Sequence, residues 1–277
     1  MPDAAKRHDP PRFDPTVPNV ARMYDYYLGG KNNFAADREA AEQALTFAPE
    51  LREGAHEARK FLSRVVFFLA DEGIRQFIDL GCGLPTQGNV HEVAQGRAPG
   101  SRVVYVDNDP VVVAHARALL ENNPLAVAIH GDLRQVGDVL ADPALRRHLD
   151  FTQPVAVLLF SVLHVIADDE VCQRIMDEAR ESVPDGSYFA ISHFVSDLNP
   201  DAYAKVAGVY RDKVDIPAHR RTTMRSSAEV IPFFAGLEMV EPGLVYLPRW
   251  RPDAADLDRG LPEVSAVGGV GRKLSVS

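Results

Sequence analysis

A glycine-rich turn near residue 80 has the residue types of a nucleotide-like binding site. The apolar segment 75–80 reads as a buried strand and runs into Asp79-Leu-Gly81-Cys-Gly83. A second apolar segment, 102–107, ends in the acid Asp107. A glycine turn after one parallel strand and an acid after the next are typical of a nucleotide pocket at the carboxyl edge of a sheet. The alternative is a tight structural turn with an unrelated surface acid.

The same turn is poorly suited to a diphosphate. Thr86 stands where a dinucleotide fingerprint has its third glycine, and Pro85 has no N–H to donate. Asp79 would repel a phosphate dianion. S-adenosylmethionine has no phosphate and carries a positive amino group and a positive sulfur, so it fits these residues better. Asp79 would then lie near its ammonium, and Asp107 would accept hydrogen bonds from both ribose hydroxyls.

The elements that must position this turn follow an alternating pattern. Apolar residues at helical spacing predict three helices before the first strand. Five strand–helix repeats follow, and two further strands suggest an antiparallel hairpin at one edge. The sequence therefore predicts an α/β fold with a doubly wound, mostly parallel seven-stranded sheet. The predicted strands are 76–80, 103–106, 127–130, 155–160, 188–194, 237–246 and 264–270.

The chain divides into three predicted regions. Residues 1–18 carry five prolines and scattered charge, and we expect a disordered tail there. Residues 19–73 are predicted to form a helical lid over the carboxyl edge of the sheet. Residues 74–277 are predicted to form the core, which makes one compact unit with the lid.

Composition limits the classes of partner. The 277-residue chain has a net charge of −9 at pH 7, which disfavours nucleic acid, and the basic run His219-Arg220-Arg221 is too short to indicate a nucleic-acid-binding face. Cys82 and Cys172 are too few for a disulfide framework. No apolar run reaches the roughly 18 residues of a membrane helix, and no histidine or cysteine pair has zinc-site spacing. We expect a cytoplasmic protein with a small-molecule partner, and no metal, membrane or nucleic acid.

Four segments of the chain resemble one known family. They are 19–34 (NVARMYDYYLGGKNNF), 79–86 (DLGCGLPT), 104–110 (VYVDNDP) and 233–243 (FFAGLEMVEPG). Together they resemble the actinobacterial S-adenosyl methyltransferase family, formerly a domain of unknown function, within the Rossmann-like methyltransferases. The first segment is the most specific, and Cys82 is a small departure from the threonine or other small residue expected there.

This resemblance implies S-adenosylmethionine as cofactor and assigns residues to its parts. It leaves the methyl acceptor open. The implied assignments are Asp79, Gly81 and Gly83 at the methionine moiety, Asp107 at the ribose, Asn108 beside the adenine, Asp132 and the Leu133 N–H at the adenine edge, and Ser161 near the methionine end.

Further candidates lie around the expected acceptor site. His164 follows the fourth strand and His193 ends the fifth, so either could act as a base or position the acceptor; alternatively each packs or bonds a loop carbonyl. Tyr24 and Tyr27 share an apolar helical stripe, where packing competes with a ring face turned to the sulfonium. We include Tyr27 among the catalytic candidates and Tyr24 among the cofactor contacts. Asn33 could bond the cofactor carboxylate or complete a turn.

Three functions are compatible with these patterns. The first is methyl transfer from S-adenosylmethionine to a small molecule. The second is a non-catalytic protein that binds S-adenosylmethionine or S-adenosylhomocysteine and regulates a partner. A binder needs no cavity for an acceptor, whereas an enzyme does. A nicotinamide-dependent oxidoreductase is the third, and the composition of the glycine turn argues against it.

Overall fold

Eight strands form one mixed sheet in the computed structural model, which describes residues 14–85, 88–213 and 224–275, the side chain of Lys213 excepted. The strand order is β3-β2-β1-β4-β5-β8-β6, and β7 also pairs with β8. The strands are β1 (Gln76–Leu80), β2 (Arg102–Asp107), β3 (Ala126–His130), β4 (Ala156–Phe160), β5 (Tyr188–Phe194), β6 (Glu238–Met239), β7 (Val245–Tyr246) and β8 (Ala266–Arg272).

Helices alternate with the strands and cover both faces of the sheet. This confirms the predicted α/β class with a doubly wound, mostly parallel sheet. They are α1 (Val20–Tyr27), α2 (Ala35–Phe47), α3 (Leu51–Asp71), α4 (Val90–Arg97), α5 (Pro110–Leu119), α6 (Val136–Leu140), α7 (Pro143–His148), α8 (Asp169–Ser182), α9 (Pro200–Lys213), α10 (Ser227–Val230) and α11 (Ala254–Arg259).

The first five strands run parallel, and β8 is antiparallel to β5. Side chains alternate between two cores on opposite faces of the sheet. Phe77 and Leu158 belong to the core that contains residues of α1–α5 and α9. Ile78 and Leu159 belong to the core that contains residues of α6, α7, α8 and α10. Strands covered on both faces are apolar throughout, which is why β4 reads as a continuous apolar run.

The predicted strand count of seven is wrong. The single strand expected over 237–246 is two short strands, β6 and β7, and both pair with β8. Between them Pro242 has no N–H for a ladder, and Gly243 turns the chain with a φ of +85°. The sheet therefore has eight strands, and its antiparallel edge is built around β8.

Helices α1–α3 precede the sheet; α1 packs against α2 and α3, and α3 packs against β4, β5 and β8. Asn19 caps α1, and its side chain accepts from the N–H of Arg22. After α1 the chain turns around the buried Asp25, whose Oδ2 accepts from Asn32 N and Asn33 Nδ2, both at 2.8 Å. A Cβ at Gly30 would lie 2.1 Å from Asp25 Oδ1, so only glycine fits there.

Some predicted features lie outside the described residues. They are the first part of the tail (residues 1–13), the run His219-Arg220-Arg221, and Thr86 in the glycine turn. Within the described ranges, no helix is both long and apolar enough to cross a membrane.

Candidate active site

The turn after β1 lies against the end of β2. Gly81 and Gly83 have φ values of +75° and +66°. The N–H groups of Gly81 and Cys82 both donate to the carbonyl of Val106, at 2.8 and 3.1 Å. A left-handed backbone at both positions accounts for the two glycines. A Cβ at Gly83 would meet nothing within 4 Å, so the backbone here faces open space that a ligand could fill.

Gly81 is also required by a close approach. A Cβ at this position would lie 2.3 Å from Cγ2 of Val162, which follows β4. The turn after β1 and the loop after β4 are therefore in direct contact. This contact brings Ser161 to the same edge of the sheet as Gly81.

The carboxylate of Asp107 fixes the loops at the end of β2. It is buried, and it accepts from Gly83 N and Asp109 N, both at 2.9 Å. Burial raises the pKa of Asp107, although the hydrogen bonds from the Asp109 and Gly83 N–H groups partly oppose the rise. A direct hydrogen bond thus connects Asp107, the residue predicted to bind the ribose, to the glycine turn that is predicted to bind the methionine moiety.

Asp79 is buried at the end of β1. Burial raises its pKa to about 7; the Arg59 guanidinium opposes that rise and the Asp107 carboxylate adds to it. Within the described residues, no group donates a hydrogen bond to this carboxylate. A buried carboxylate in this state favours a cationic ligand, because a nearby positive charge would stabilise its ionised form.

Arg59 of α3 faces Asp79 and was not predicted from the sequence. Both side chains line a cavity between α3, the glycine turn, α4 and α5, together with Cys82, Gly83 and Tyr105. The Nη2 of Arg59 donates to the carbonyl of Gly88 at 2.8 Å. The one feature of the sequence that could have indicated this role is the position of Arg59 next to Ala58, a buried residue of α3.

The predicted adenine contacts follow β2 and β3. The carbonyl of Asn108 lies 3.0 Å from Nε2 of His130. Asp132 caps the 3-10 turn that begins at Leu133, and its Oδ2 accepts from Arg134 Nη2 at 2.6 Å. Burial raises the pKa of Asp132, but the hydrogen bonds and charge of Arg134 outweigh it, so the net shift is downward. Asp132 is therefore ionised at neutral pH and can accept hydrogen bonds.

Ser161 ends β4 with a strained backbone. Its φ is +53°, a left-handed conformation that costs a residue with a side chain of order 1–3 kcal/mol. Its N–H donates to the hydroxyl of Ser192 on β5 at 2.9 Å, and the two hydroxyls lie 3.3 Å apart. Strain maintained by neighbouring strands is a common property of functional positions.

The structure brings His164 and His193 together beyond β4 and β5. Their ring centroids are 5.6 Å apart, and the His164 ring is 5.3 Å from that of Phe194. Burial, aided by the Arg225 guanidinium, lowers the pKa of His164 to about 3, so its ring is neutral at pH 7. The Nδ1 of His164 is buried and has no hydrogen-bond partner within the described residues.

Arg225 holds the loop that carries His164. Its buried guanidinium donates to the carbonyls of Leu163 at 3.1 Å and Ile166 at 2.8 Å, and it pairs with Asp169 at 2.8 Å. The Nη1 of Arg225 also lies 3.4 Å from Nε2 of His193. Arg225 was not predicted from the sequence, because the hydrogen-bond partners of its guanidinium are more than 30 positions away.

Three predicted residues lie on or after α1. The hydroxyl of Tyr24 donates to the carbonyl of Ala55 on α3 at 3.1 Å. Tyr27 is buried, and its hydroxyl lies 3.1 Å from that of Tyr210 on α9. Asn33 donates from Nδ2 to the carboxylate of Asp25, within the turn described above. These hydrogen bonds of Tyr27 and Asn33 therefore serve helix packing and the turn, and the functional roles of both residues stay predictions.

Helix α3 connects the two sides of this edge. At its N-terminal end, a Cβ on Gly54 would lie 2.7 Å from Cε1 of Phe194, next to the histidines. Just over one turn later Arg59 faces Asp79 and the glycine turn. Within the described residues, no group of three or more His, Cys, Asp or Glu side chains is placed to hold a metal ion.

Comparison with known proteins places this geometry in context. A family model described as S-adenosyl methyltransferase matches residues 6–274 of the chain. Among curated protein sequences, no significant match was found.

Two solved structures are similar over nearly the whole chain. A Thermobifida fusca protein provisionally assigned as a methyltransferase is 41% identical, with a TM-score of 0.85, 94% of this chain covered and 96% of that one. A DUF574 family protein from Streptomyces avermitilis is 38% identical, with a TM-score of 0.87 and coverages of 95% and 100%. Human N-acetylserotonin methyltransferase, solved with S-adenosylmethionine, is 14% identical, with a TM-score of 0.50 and coverages of 92% and 64%, which shows a shared fold alone.

Proposed function

The chain belongs to the S-adenosyl methyltransferase family, and from that premise we propose that its methyl acceptor is a small molecule bound beside His164 and His193. The protein is an S-adenosylmethionine-dependent methyltransferase. The observation that carries the proposal is the contact between Gly81 and Val162, because it joins the cofactor turn to the loop that bears His164.

The residues present fit this cofactor. Open space lies beside the left-handed backbone of Gly83, where a side chain would intrude. Asp79 is a buried carboxylate that no described group hydrogen-bonds, as an ammonium ligand requires. Asp107, also buried, lies within hydrogen-bond distance of the glycine turn. This set of acceptors suits a cation with two ribose hydroxyls better than a diphosphate.

We assign each part of the cofactor to residues of this chain. Asp79 would hold its ammonium, and Asp107 would accept from the ribose hydroxyls. The remaining contacts follow the sequence-based assignments: Gly81 and Gly83 along the methionine moiety, Asn108, Asp132 and Leu133 at the adenine, Ser161 near the methionine end, and Tyr24 and Asn33 from the N-terminal helices.

The acceptor side needs orientation more than strong acid–base chemistry. When bound, S-adenosylmethionine supplies a methyl group on a sulfonium, whose departure leaves a neutral thioether. The chain must then hold the acceptor atom about 3–3.5 Å from that carbon. Neutral His164 can accept a hydrogen bond from an alcohol or phenol and orient its oxygen. A pKa of about 3 makes His164 a weak base, which favours the orienting role.

His193 and Tyr27, the other two catalytic candidates from the sequence, are proposed as positioning residues. His193 lies beside His164 and beneath Arg225, and it would support the orientation of the first ring. Tyr27 packs between α1 and α9 and would act through the position of the N-terminal helices. We propose that residues 19–73 act as a lid over residues 74–277 and exclude water from the transfer.

A small acceptor also suits the charge of the chain. The net charge of −9 disfavours a nucleic-acid acceptor. Cys82 and Cys172 are free thiols, and burial, with the Asp107 and Asp79 charges, raises the pKa of Cys82. We accordingly propose a cytoplasmic location.

Labelled methyl transfer into a metabolite extract tests the proposal. The protein is incubated with methyl-labelled S-adenosylmethionine and an extract separated into small-molecule, protein and nucleic-acid fractions. We expect label in the small-molecule fraction, and less of it with His164→Ala. Label confined to the protein or nucleic-acid fraction would contradict a small acceptor.

A further inference from the structure

We propose that Arg59 binds the carboxylate of the methionine moiety, so that Arg59 and Asp79 together select a cofactor with an intact amino-acid end. This inference rests on the cofactor assignment above and adds a residue that the sequence motifs do not contain. Asp79 would face the ammonium of that end, and Arg59 its carboxylate.

The position of Arg59 supports this role. Arg59 projects from α3 into the cavity that Asp79, Cys82 and Gly83 line from the glycine turn. In the described part of the chain it is the one basic residue that lines this cavity. The charge of Arg59 lowers the pKa of Asp79 and so opposes the effect of burial, which means that the two side chains interact electrostatically across the cavity.

The charge balance of the cavity points the same way. Asp79 and Asp107 are buried carboxylates whose pKa values are raised, which means that the site already resists negative charge. A ligand carboxylate that entered without a partner would meet the same resistance. A guanidinium offers paired N–H donors in the planar geometry that a carboxylate accepts. Arg59 can therefore offset the cost of bringing a third carboxylate into this cavity.

A purely structural role is the competing explanation. The Nη2 of Arg59 donates to the carbonyl of Gly88 and so braces the segment before α4. Loss of a brace would weaken every adenosyl ligand alike. Loss of a carboxylate partner would weaken only ligands that carry the carboxylate, and this difference separates the two roles.

Calorimetric titration of wild-type protein and Arg59→Met with three ligands tests the proposal. The ligands are S-adenosylmethionine, decarboxylated S-adenosylmethionine and 5′-methylthioadenosine, which lacks the whole amino-acid end. We expect Arg59→Met to bind S-adenosylmethionine about 10- to 100-fold more weakly. Its affinity for the other two ligands should change less than about threefold, within the range of small contextual effects. Arg59→Lys should retain part of the preference for the carboxylate.

Arg64→Met is the matched control. Arg64 lies on the same helix and also donates to backbone carbonyls, those of Trp250 at 2.9 Å and Leu247 at 2.7 Å, but it does not line the cavity. The Arg64→Met substitution should leave the preference for the ligand that carries a carboxylate unchanged. An equal loss of affinity for all three ligands in Arg59→Met would overturn the assignment of Arg59 to the ligand carboxylate. Arg59 would then have only a structural role, through its hydrogen bond to the carbonyl of Gly88. Wild-type protein that binds none of the three would overturn the cofactor assignment as well.

Discussion

The guanidinium of Arg22 lies 3.9 Å from the carboxylate of Asp109, and this contact connects helix α1 to the ribose side of the site. Asp109 in turn donates its N–H to the carboxylate of Asp107 at 2.9 Å. The Nε of Arg22 donates to the fully buried Asp37 of α2 at 2.8 Å. One buried cation thus joins two N-terminal helices to the loop that holds the predicted ribose ligand.

We expect Arg22→Met to lower the free energy of unfolding by about 3–5 kcal/mol, because it leaves Asp37 buried without its cation. Chemical denaturation measures this change. Arg97→Met is the control: Arg97 pairs with Asp71 on the surface, where both side chains are about half exposed, and little change should follow. Equal effects of the two substitutions would contradict a special role for the Arg22 contacts.

Asp107→Ala should reduce the affinity for S-adenosylhomocysteine by about 1.5–3 kcal/mol, because it removes charged hydrogen-bond acceptors. Isothermal titration calorimetry gives the value directly. Asp138→Ala, at an exposed position of α6, controls for the loss of a negative charge elsewhere. An affinity that Asp107→Ala leaves intact would remove this residue from the site.

The raised pKa of Asp79 predicts a pH dependence of cofactor binding. A cationic ligand favours the ionised carboxylate, so below a pH of about 7 binding must release a proton. Affinity should therefore rise with pH up to about 7 and then level off. Calorimetry in buffers of different ionisation enthalpy reports the released proton, and Asp79→Asn should release none. A binding enthalpy independent of the buffer at pH 6 would rule out this coupling.

The same shift makes a prediction about stability. The folded-state pKa of Asp79 lies above the ordinary aspartate value of 3.8, so the contribution of Asp79 to the free energy of unfolding is most favourable at low pH and is lost as pH rises toward about 7. Asp79→Asn has no such loss. The free energy of unfolding of Asp79→Asn should exceed that of the wild type by more at pH 8 than at pH 5.5. Chemical denaturation at both pH values measures the two differences.

Gly81→Ala should destabilise the protein by about 2–4 kcal/mol, since it combines a left-handed backbone with a collision. The new Cβ would lie 2.3 Å from Val162 Cγ2 at a φ of +75°. Gly96→Ala is the matched control, because Gly96 lies within α4 and its Cβ would meet nothing within 4 Å. That substitution should stabilise by about 0.5–1 kcal/mol. Denaturation curves with the two effects reversed would contradict this account of the turn.

Much of the fold follows from local sequence. Strands β1 and β5 have the predicted bounds, 76–80 and 188–194, since apolar runs and turn residues define them. Asp109 and Asp168 cap α5 and α8, and an Asp before a helix is a common local start signal. The short helices α6 and α11 were missed, because one or two turns give no clear periodicity.

The site was predictable only in part. Asp79, Gly81, Gly83 and Asp107 meet because the carboxyl ends of neighbouring parallel strands share one edge, and strand order alone implies this. Arg59 and Arg225 enter the site from elements whose docking depends on tertiary packing. No short-range pattern around either residue specifies its partners, which lie far away in the sequence.

Helix α3 has a mechanical consequence for the order of events. Gly54 of this helix packs against Phe194 beside the histidines, and Arg59 reaches the glycine turn. One rigid helix therefore borders both the proposed acceptor site and the proposed cofactor site. A helix bends little over the roughly 8 Å that separate these positions. Displacement of this helix would expose both sites at once. We therefore expect a single movement of helix α3 to allow both the entry of the acceptor and the release of S-adenosylhomocysteine.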